Sequence, residues 1–202
     1  VWNLRVPRIL IAILVGVSLA CAGAIYQSIF RNPLVEPFIL GASSGASFGA
    51  SLAILLPSIF FSLELSAFTF GLLAVFLAYT LAFERGVINS VALVLSGVIV
   101  GAIFSSLVGI MKYLSEDAQL REITFWMMGG LYHASWDDIV VNGLFGIPCF
   151  IIAFALSWKL NLLSLGDEEA RSLGVNPQIY KAIFIVIATL LSALSVASVG
   201  II

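Results

Sequence analysis

Charge is what this chain has least of: Asp, Glu, Lys and Arg together make up 10% of its 202 residues, and there is one histidine. Each scarcity excludes something. A net charge of -2 leaves no basic stripe of the kind that holds nucleic acid, so nucleic acid is not a partner. His133 lies in a loop without a second imidazole, and no nucleophile, base and orienting group are spaced as membrane hydrolases require. There is no Gly-x-x-x-x-Gly-Lys-Ser/Thr phosphate loop, so the chain does not hydrolyse ATP itself. The acids Glu116, Asp117, Glu122, Asp137 and Asp138 match no octahedral or EF-hand spacing, and no metal or cofactor is expected. Cys21 and Cys149 both sit inside apolar runs, where a free thiol behaves as a small hydrophobe, so no disulfide is expected.

What is abundant is apolar: 61% of residues, with a mean hydropathy of +1.15. Soluble domains carry about 45 to 50%. Runs long enough to cross a hydrocarbon core, about 20 residues of helix, occupy Ile9 to Phe30, Phe38 to Leu63, Leu65 to Phe83, Val87 to Met111, Ile139 to Trp158 and Ala182 to Ile202. None shows the strict alternation of a membrane β-barrel strand, and the first is too long and lacks the cleavage site of a signal peptide. The expected fold is therefore all-α, a polytopic transmembrane bundle with six spans. Within the six, no interior position is Asp, Glu, Lys, Arg or His, the groups that proton relays and ion-coupled carriers use. Any transport would have to be driven from outside the bilayer.

Small residues recur four apart: Gly41, Gly45 and Gly49 in the second run, Gly97, Gly101, Ser105 and Gly109 in the fourth, and Gly16, Ala20, Ala24 and Ser28 in the first. Such stripes share one helix face and let backbones approach where lipid supplies no hydrophobic drive, so all three are expected to pack against protein.

The charge that exists is gathered between Leu160 and Lys181, in LNLLSLGDEEARSLGVNPQIYK. Gly166 and Gly174 bracket DEEARSL, whose acids come first and whose Arg171 comes later, the order that complements a helix dipole. A short surface helix is expected, charged on one side, with Leu163, Leu165, Ala170, Leu173 and Val175 available to lodge in a groove of a soluble partner. Orientation is left open by basic residues alone: Arg31, Arg85, Lys159, Arg171 and Lys181 at one end face Arg5, Arg8, Lys112 and Arg121 at the other. Trp2, Trp126, Tyr132 and Trp136 fit an interfacial belt or a vestibule wall.

The stretch RVPRILIAILVGVSLACAGAIYQSIFRNPLVEPFILGASSGASFGA resembles the opening of the FecCD family of ABC transporter permeases. SGVIVGAIFSSL, LREITFWMMGGLYHASWDDI and LNLLSLGDEEARSLGVNP then look like its successive signatures in order, so the resemblance covers essentially the whole chain. It implies a type II ABC importer permease of ten helices, paired with a second permease subunit, commonly as a homodimer, in the cell membrane. An ABC ATPase subunit would sit on the cytoplasmic side and a substrate-binding protein outside, the cargo being an iron-siderophore chelate, haem or cobalamin. On this reading residues 1–202 are part of one permease domain that lacks the first family helix and the C-terminal helices, and 159–181 is its cytoplasmic coupling loop.

The resemblance also assigns roles. Leu165, Gly166, Asp167, Glu168, Ala170, Arg171, Leu173 and Gly174 would form the ATPase-coupling element. Asn89 and Ser90 would belong to an inner gate at the start of a pathway-lining helix that carries Gly97 and Gly101. Arg5, Pro7 and Arg8 match an Arg-x-Pro-Arg motif at the outer mouth, where Arg5 and Arg8 would dock the acidic surface of the binding protein. Arg31 and Glu36, in the proline-bearing turn RNPLVEP, are expected to be solvated loop charges. An autonomous channel or secondary carrier is the alternative, against whose ion-coupled form the lack of intramembrane charges counts, and a membrane scaffold is a third reading, which leaves the charged loop unexplained.

Overall fold

The computed structural model describes residues 2, 5–58, 62–84, 87–132 and 134–202, with the backbone alone at Glu84 and Val87. His133 and Arg85 lie outside the described residues. The elements are α1 (Arg5–Phe30), α2 (Ala42–Leu55), α3 (Leu63–Ala82), β1 (Phe83–Glu84), β2 (Val87–Ile88), α4 (Ser90–Leu114), α5 (Asp117–Met128), α6 (Trp136–Ala155), α7 (Ser157–Leu165), α8 (Asp167–Ser172) and α9 (Pro177–Val199). The fold is the expected helical bundle, relieved among the described residues only by a two-residue antiparallel ladder in the α3–α4 turn.

Helix boundaries follow local chemistry. Ser62 accepts from Leu65 N and so starts α3, while Asn176 caps α9 and Pro177 takes its first turn. Ser135 and Asp138 close a capping box on α6, and Glu116 does the same for α5 with Gln119. Four of the acids that could suggest a cation site are thus helix-start groups: Glu116 and Asp138 in boxes, Asp117 and Asp137 in first turns. Among the described residues no three His, Cys, Asp or Glu side chains converge on a point.

Among the described residues five helices, α1, α3, α4, α6 and α9, are long and apolar enough to cross a membrane. The second expected span is different. Its helix is the 14-residue α2 alone, about 21 Å long at 1.5 Å per residue, short of a hydrocarbon core of about 30 Å. Gly41, at φ 84°, begins the helix in a left-handed conformation, and Pro57 follows its end. The preceding segment is not helical yet reaches deep: a Cβ on Gly97 would lie 2.6 Å from Ile39 O, and one on Gly41 would lie 3.2 Å from Gly101 N. Those glycines stand 7 and 11 residues into α4, roughly 10 and 16 Å along its axis. Residues 32–41 therefore run up beside α4 before α2 begins, as irregular backbone at membrane depth packed against protein.

The core is built on α9, 72% of whose apolar window is buried, against 22 to 39% for the other four long helices. Its Phe184, Ala188 and Leu191 meet Ile25, Tyr26 and Ile29 of α1 in one cluster. Polar atoms there are satisfied inside the bundle: Tyr26 Oη and Thr189 Oγ1 are 3.0 Å apart, Ser192 and Ser195 donate to carbonyls one turn back, and Asn142 Nδ2 bonds Ser198 Oγ at 2.6 Å.

The small-residue stripes divide. Gly45 and Gly49 lie against α3, where a Cβ would meet Phe70 O and Ser66 O respectively, and Gly41 meets Gly97 and Gly101. On α1 the stripe expected to pack does not: Gly16, Ala20 and Ala24 are exposed in this chain, and the buried face is Ile11, Val15, Ala22, Ile25 and Ile29. Large branched side chains fill the gap to α9 instead, and Gly16 and Gly109 have nothing among the described residues within 4 Å of an added Cβ.

Candidate functional site

The helices alternate direction, so the chain has two ends. One gathers the α1–α2 turn, the β1–β2 ladder, the start of α4, the α7–α8 unit and the start of α9. The other gathers Arg5, Arg8, α5, the loop before α6 and the close of α9.

At the first end α7 and α8 meet at Gly166, whose φ of 145° suits glycine. A Cβ there would run into the Glu169 carboxylate and lie 3.4 Å from Arg31 Nη1, so the exposed Arg31 of the α1–α2 turn stands beside this junction. Seven of the eight coupling residues separate into two groups, with Asp167 half-buried between them. Ala170 is fully buried and Gly166 is buried, as are Leu163 and Val175 beside them; these hold the unit to the bundle. Leu165, Glu168, Arg171, Leu173 and Gly174 are exposed. The outward face is narrower than the apolar set read from sequence, and Leu165 and Leu173 are its large apolar groups.

Asp167 does something the sequence did not show. Its Oδ2 accepts from Lys181 Nζ at 2.7 Å, and Lys181 is 2% exposed on α9 instead of ending a solvated loop. Gln178, three residues earlier on the same face, accepts from Ile88 N at 2.8 Å through Oε1. The available signal was the spacing Pro177, Lys181, Phe184, Ala188, which continues the buried face of α9 through a lysine.

Asn89 caps α4, its Oδ1 accepting from Val91 N at 2.8 Å and from Ala92 N at 3.4 Å, and Ser90 is the first helical residue. Ser90 borders a cavity of about 320 Å³ formed with Asn32, Leu34, Val35 and Ile39, and Asn89 is its neighbour in the chain. Gly97 and Gly101 stand deeper on α4, against residues 39–41.

At the other end Arg5 and Arg8 are exposed, and Arg8 Nη2 donates to Tyr132 O at 3.3 Å. Trp2 and Trp136 lie ring against ring, 5.8 Å between centroids. Gly130 N donates to Val199 O at 2.7 Å, and Gly200, at φ 75°, would place a Cβ 2.8 Å from Gly129 Cα, which splices the end of α5 to the end of α9. A cavity of about 860 Å³ opens beside this splice, lined in part by Glu64, Arg121, Glu122 and Trp126.

Across its whole length, residues 1–202, the sequence matches the FecCD transport family. The chain belongs to that family. Two relatives show the range within it. The FecCD chain is 37% identical to the hemin transport system permease protein HmuU of Yersinia pestis, over 100% of the chain and 62% of HmuU. It is also 37% identical to the molybdate import system permease protein MolB of Haemophilus influenzae, over 99% of the chain and 60% of MolB. Among solved structures, a metal-chelate type ABC transporter in an inward-facing conformation superposes with a TM-score of 0.92 at 38% identity, covering 100% of this chain and 64% of that one. The FecCD chain thus spans about three-fifths of the length of these relatives. It is a multi-pass integral membrane protein of the cell membrane.

Proposed function

We propose that this FecCD chain is the main part of the membrane-spanning permease subunit of a binding-protein-dependent ABC importer, driven by a partner ATPase. The observation that carries the proposal is the α7–α8 unit: a short charged helix held by the buried Ala170 and by Lys181, with Leu165, Glu168, Arg171 and Leu173 turned outward. A rigid contact of this kind suits a surface that must pass force from a motor into helices; a solvated loop would yield instead. The scarcity of charge in the long helices supports the same reading, since their charged residues, Lys181 included, stand near the helix ends and leave no ion-coupled relay. Asn89 and Ser90 form the inner gate where α4 meets the cavity with Asn32 and Leu34, while Arg5 and Arg8 receive the external binding protein. A second permease subunit, as a homodimer, completes the pathway.

The cargo we favour is an iron chelate, on the names of HmuU and of the metal-chelate transporter; the equal identity to MolB makes molybdate the competing cargo. The test is uptake by the intact permease reconstituted in liposomes with its ATPase and binding protein. Haem or ferric-siderophore accumulation that requires ATP inside and the ATPase supports the proposal. Equal accumulation with no ATPase present would make the protein an autonomous carrier, and molybdate uptake alone would replace the cargo.

A further inference from the structure

The two elements given separate roles above, α8 and the start of α4, are both tied to one turn of α9. Lys181 holds Asp167, the first residue of α8, and Gln178 holds the backbone of Ile88, one residue before the Asn89 cap of α4. Gln178 and Lys181 are three apart, so they share a face and move as one body with the helix. We propose that this Gln178–Lys181 face is the joint through which displacement of α8 reaches the inner end of α4, a role for two positioning residues that rests on the reading of α8 as the motor contact.

Three features make this a joint. First, the tie is short and stiff at both contacts, 2.7 Å to Asp167 and 2.8 Å to Ile88 N. Second, α9 is the most buried of the long helices, so a push on α8 cannot be absorbed by movement into lipid. Third, the connection is not saturated. Asp167 Oδ1, an acceptor, and Gln178 Nε2, a donor, are both buried without a hydrogen-bond partner among the described residues. The two atoms are chemically complementary, so a shift of α8 along α9 that brought them together would give a second hydrogen-bonded arrangement, which a two-position joint requires.

The experiment uses the intact permease assembled with its ATPase and binding protein in liposomes, and reads cargo transported per ATP hydrolysed. Gln178→Leu keeps the side-chain bulk and removes the bond to Ile88 N; Lys181→Met keeps the stem and removes the bond to Asp167. Gln178→Leu is expected to leave ATPase association intact, and both are expected to lower transport per ATP, about tenfold for Gln178→Leu and further for Lys181→Met. A merely structural role would lower transport and hydrolysis in proportion and leave their ratio unchanged, which would overturn the proposal. Should Lys181→Met not fold, Gln178→Leu alone decides, since it changes no charge. Loss of ATPase association in Gln178→Leu would also overturn it, because the residue would then act on assembly. The double change Glu168→Lys and Arg171→Glu separates the two readings: if it releases the ATPase while both joint variants keep a normal ratio, the motor contact stands and the joint falls.

Discussion

Replacing Gly45 by leucine tests whether the α2–α3 contact holds the short helix in place. A Cβ built on Gly45 meets Phe70 O, lies 2.6 Å from Ala74 Cβ and 3.1 Å from Phe70 C, whereas carbon atoms prefer about 3.5 to 4.0 Å. The obstruction is backbone and a methyl group, neither of which can rotate away, so α3 must retreat by roughly 1 Å, which forfeits about a quarter to a half of each affected dispersion contact. Overpacking costs about 1 to 3 kcal/mol, and helix propensity returns about 1 kcal/mol when glycine becomes alanine. Gly45→Ala should therefore lose about 0 to 2 kcal/mol. Gly45→Leu, with three more carbons and no cavity to take them, should lose about 3 kcal/mol or more. In a domain of this size 1 kcal/mol is about 2 to 4 °C, so the leucine variant should melt about 6 °C or more below wild type, read by thermal unfolding of the purified permease in detergent. Gly109→Ala is the comparator, because nothing among the described residues lies within 4 Å of its added Cβ. Wild-type melting of Gly45→Leu would refute the argument and place that face against lipid.

Two further outcomes follow from the ends of the bundle. Reversing both Arg5 and Arg8 to Glu should weaken binding of the external binding protein, most at low ionic strength, where surface charge is least screened; a titration at low salt with unchanged affinity would remove the docking role. Asn89→Ala should lower the melting temperature through loss of about 1 kcal/mol of cap, and Asn89→Ser should recover it, since serine also caps; failure of serine to recover stability would mean that Asn89 is held for something other than the cap.

Much of the fold was written in what the chain omits. A bilayer tolerates few interior charges, so the charge-free runs mark the helices, and Ser62, Asn89, Ser135 and Pro177 mark where they start. Depth was harder to read. Phe38 to Gly41 is as apolar as the helix after it, and composition cannot tell a buried turn from a span; only Pro33, Pro37 and the positive φ of Gly41 betray it. Spacing likewise names a helix face without naming what covers it: Gly45 and Gly49 meet α3, while the same interval at Gly16, Ala20 and Ala24 faces outward in this chain. In the charged loop the helix of DEEARSL and its bracketing glycines were legible, but not which apolar residues hold it down, because Leu163, Ala170 and Val175 are distinguished from Leu165 and Leu173 only by the bundle beneath. Lys181 was missed for a related reason: a lysine beside Pro177 looks solvated until its partner Asp167, 14 residues earlier, is brought to it by the turn at Gly174.

The account turns on whether the α8 surface meets a motor. In the intact permease, Glu168→Lys with Arg171→Glu reverses two exposed charges and touches none of the buried anchors, so helix packing should be unaffected. A well-placed charged contact buried in such an interface is worth roughly 2 to 5 kcal/mol, and one at the rim much less. The measurement is co-purification of the ATPase with this variant, together with ATP hydrolysis stimulated by the binding protein. The account predicts that both fall, by tenfold or more for a buried contact, while membrane insertion and binding-protein docking persist; wild-type values for both would show that the motor attaches elsewhere.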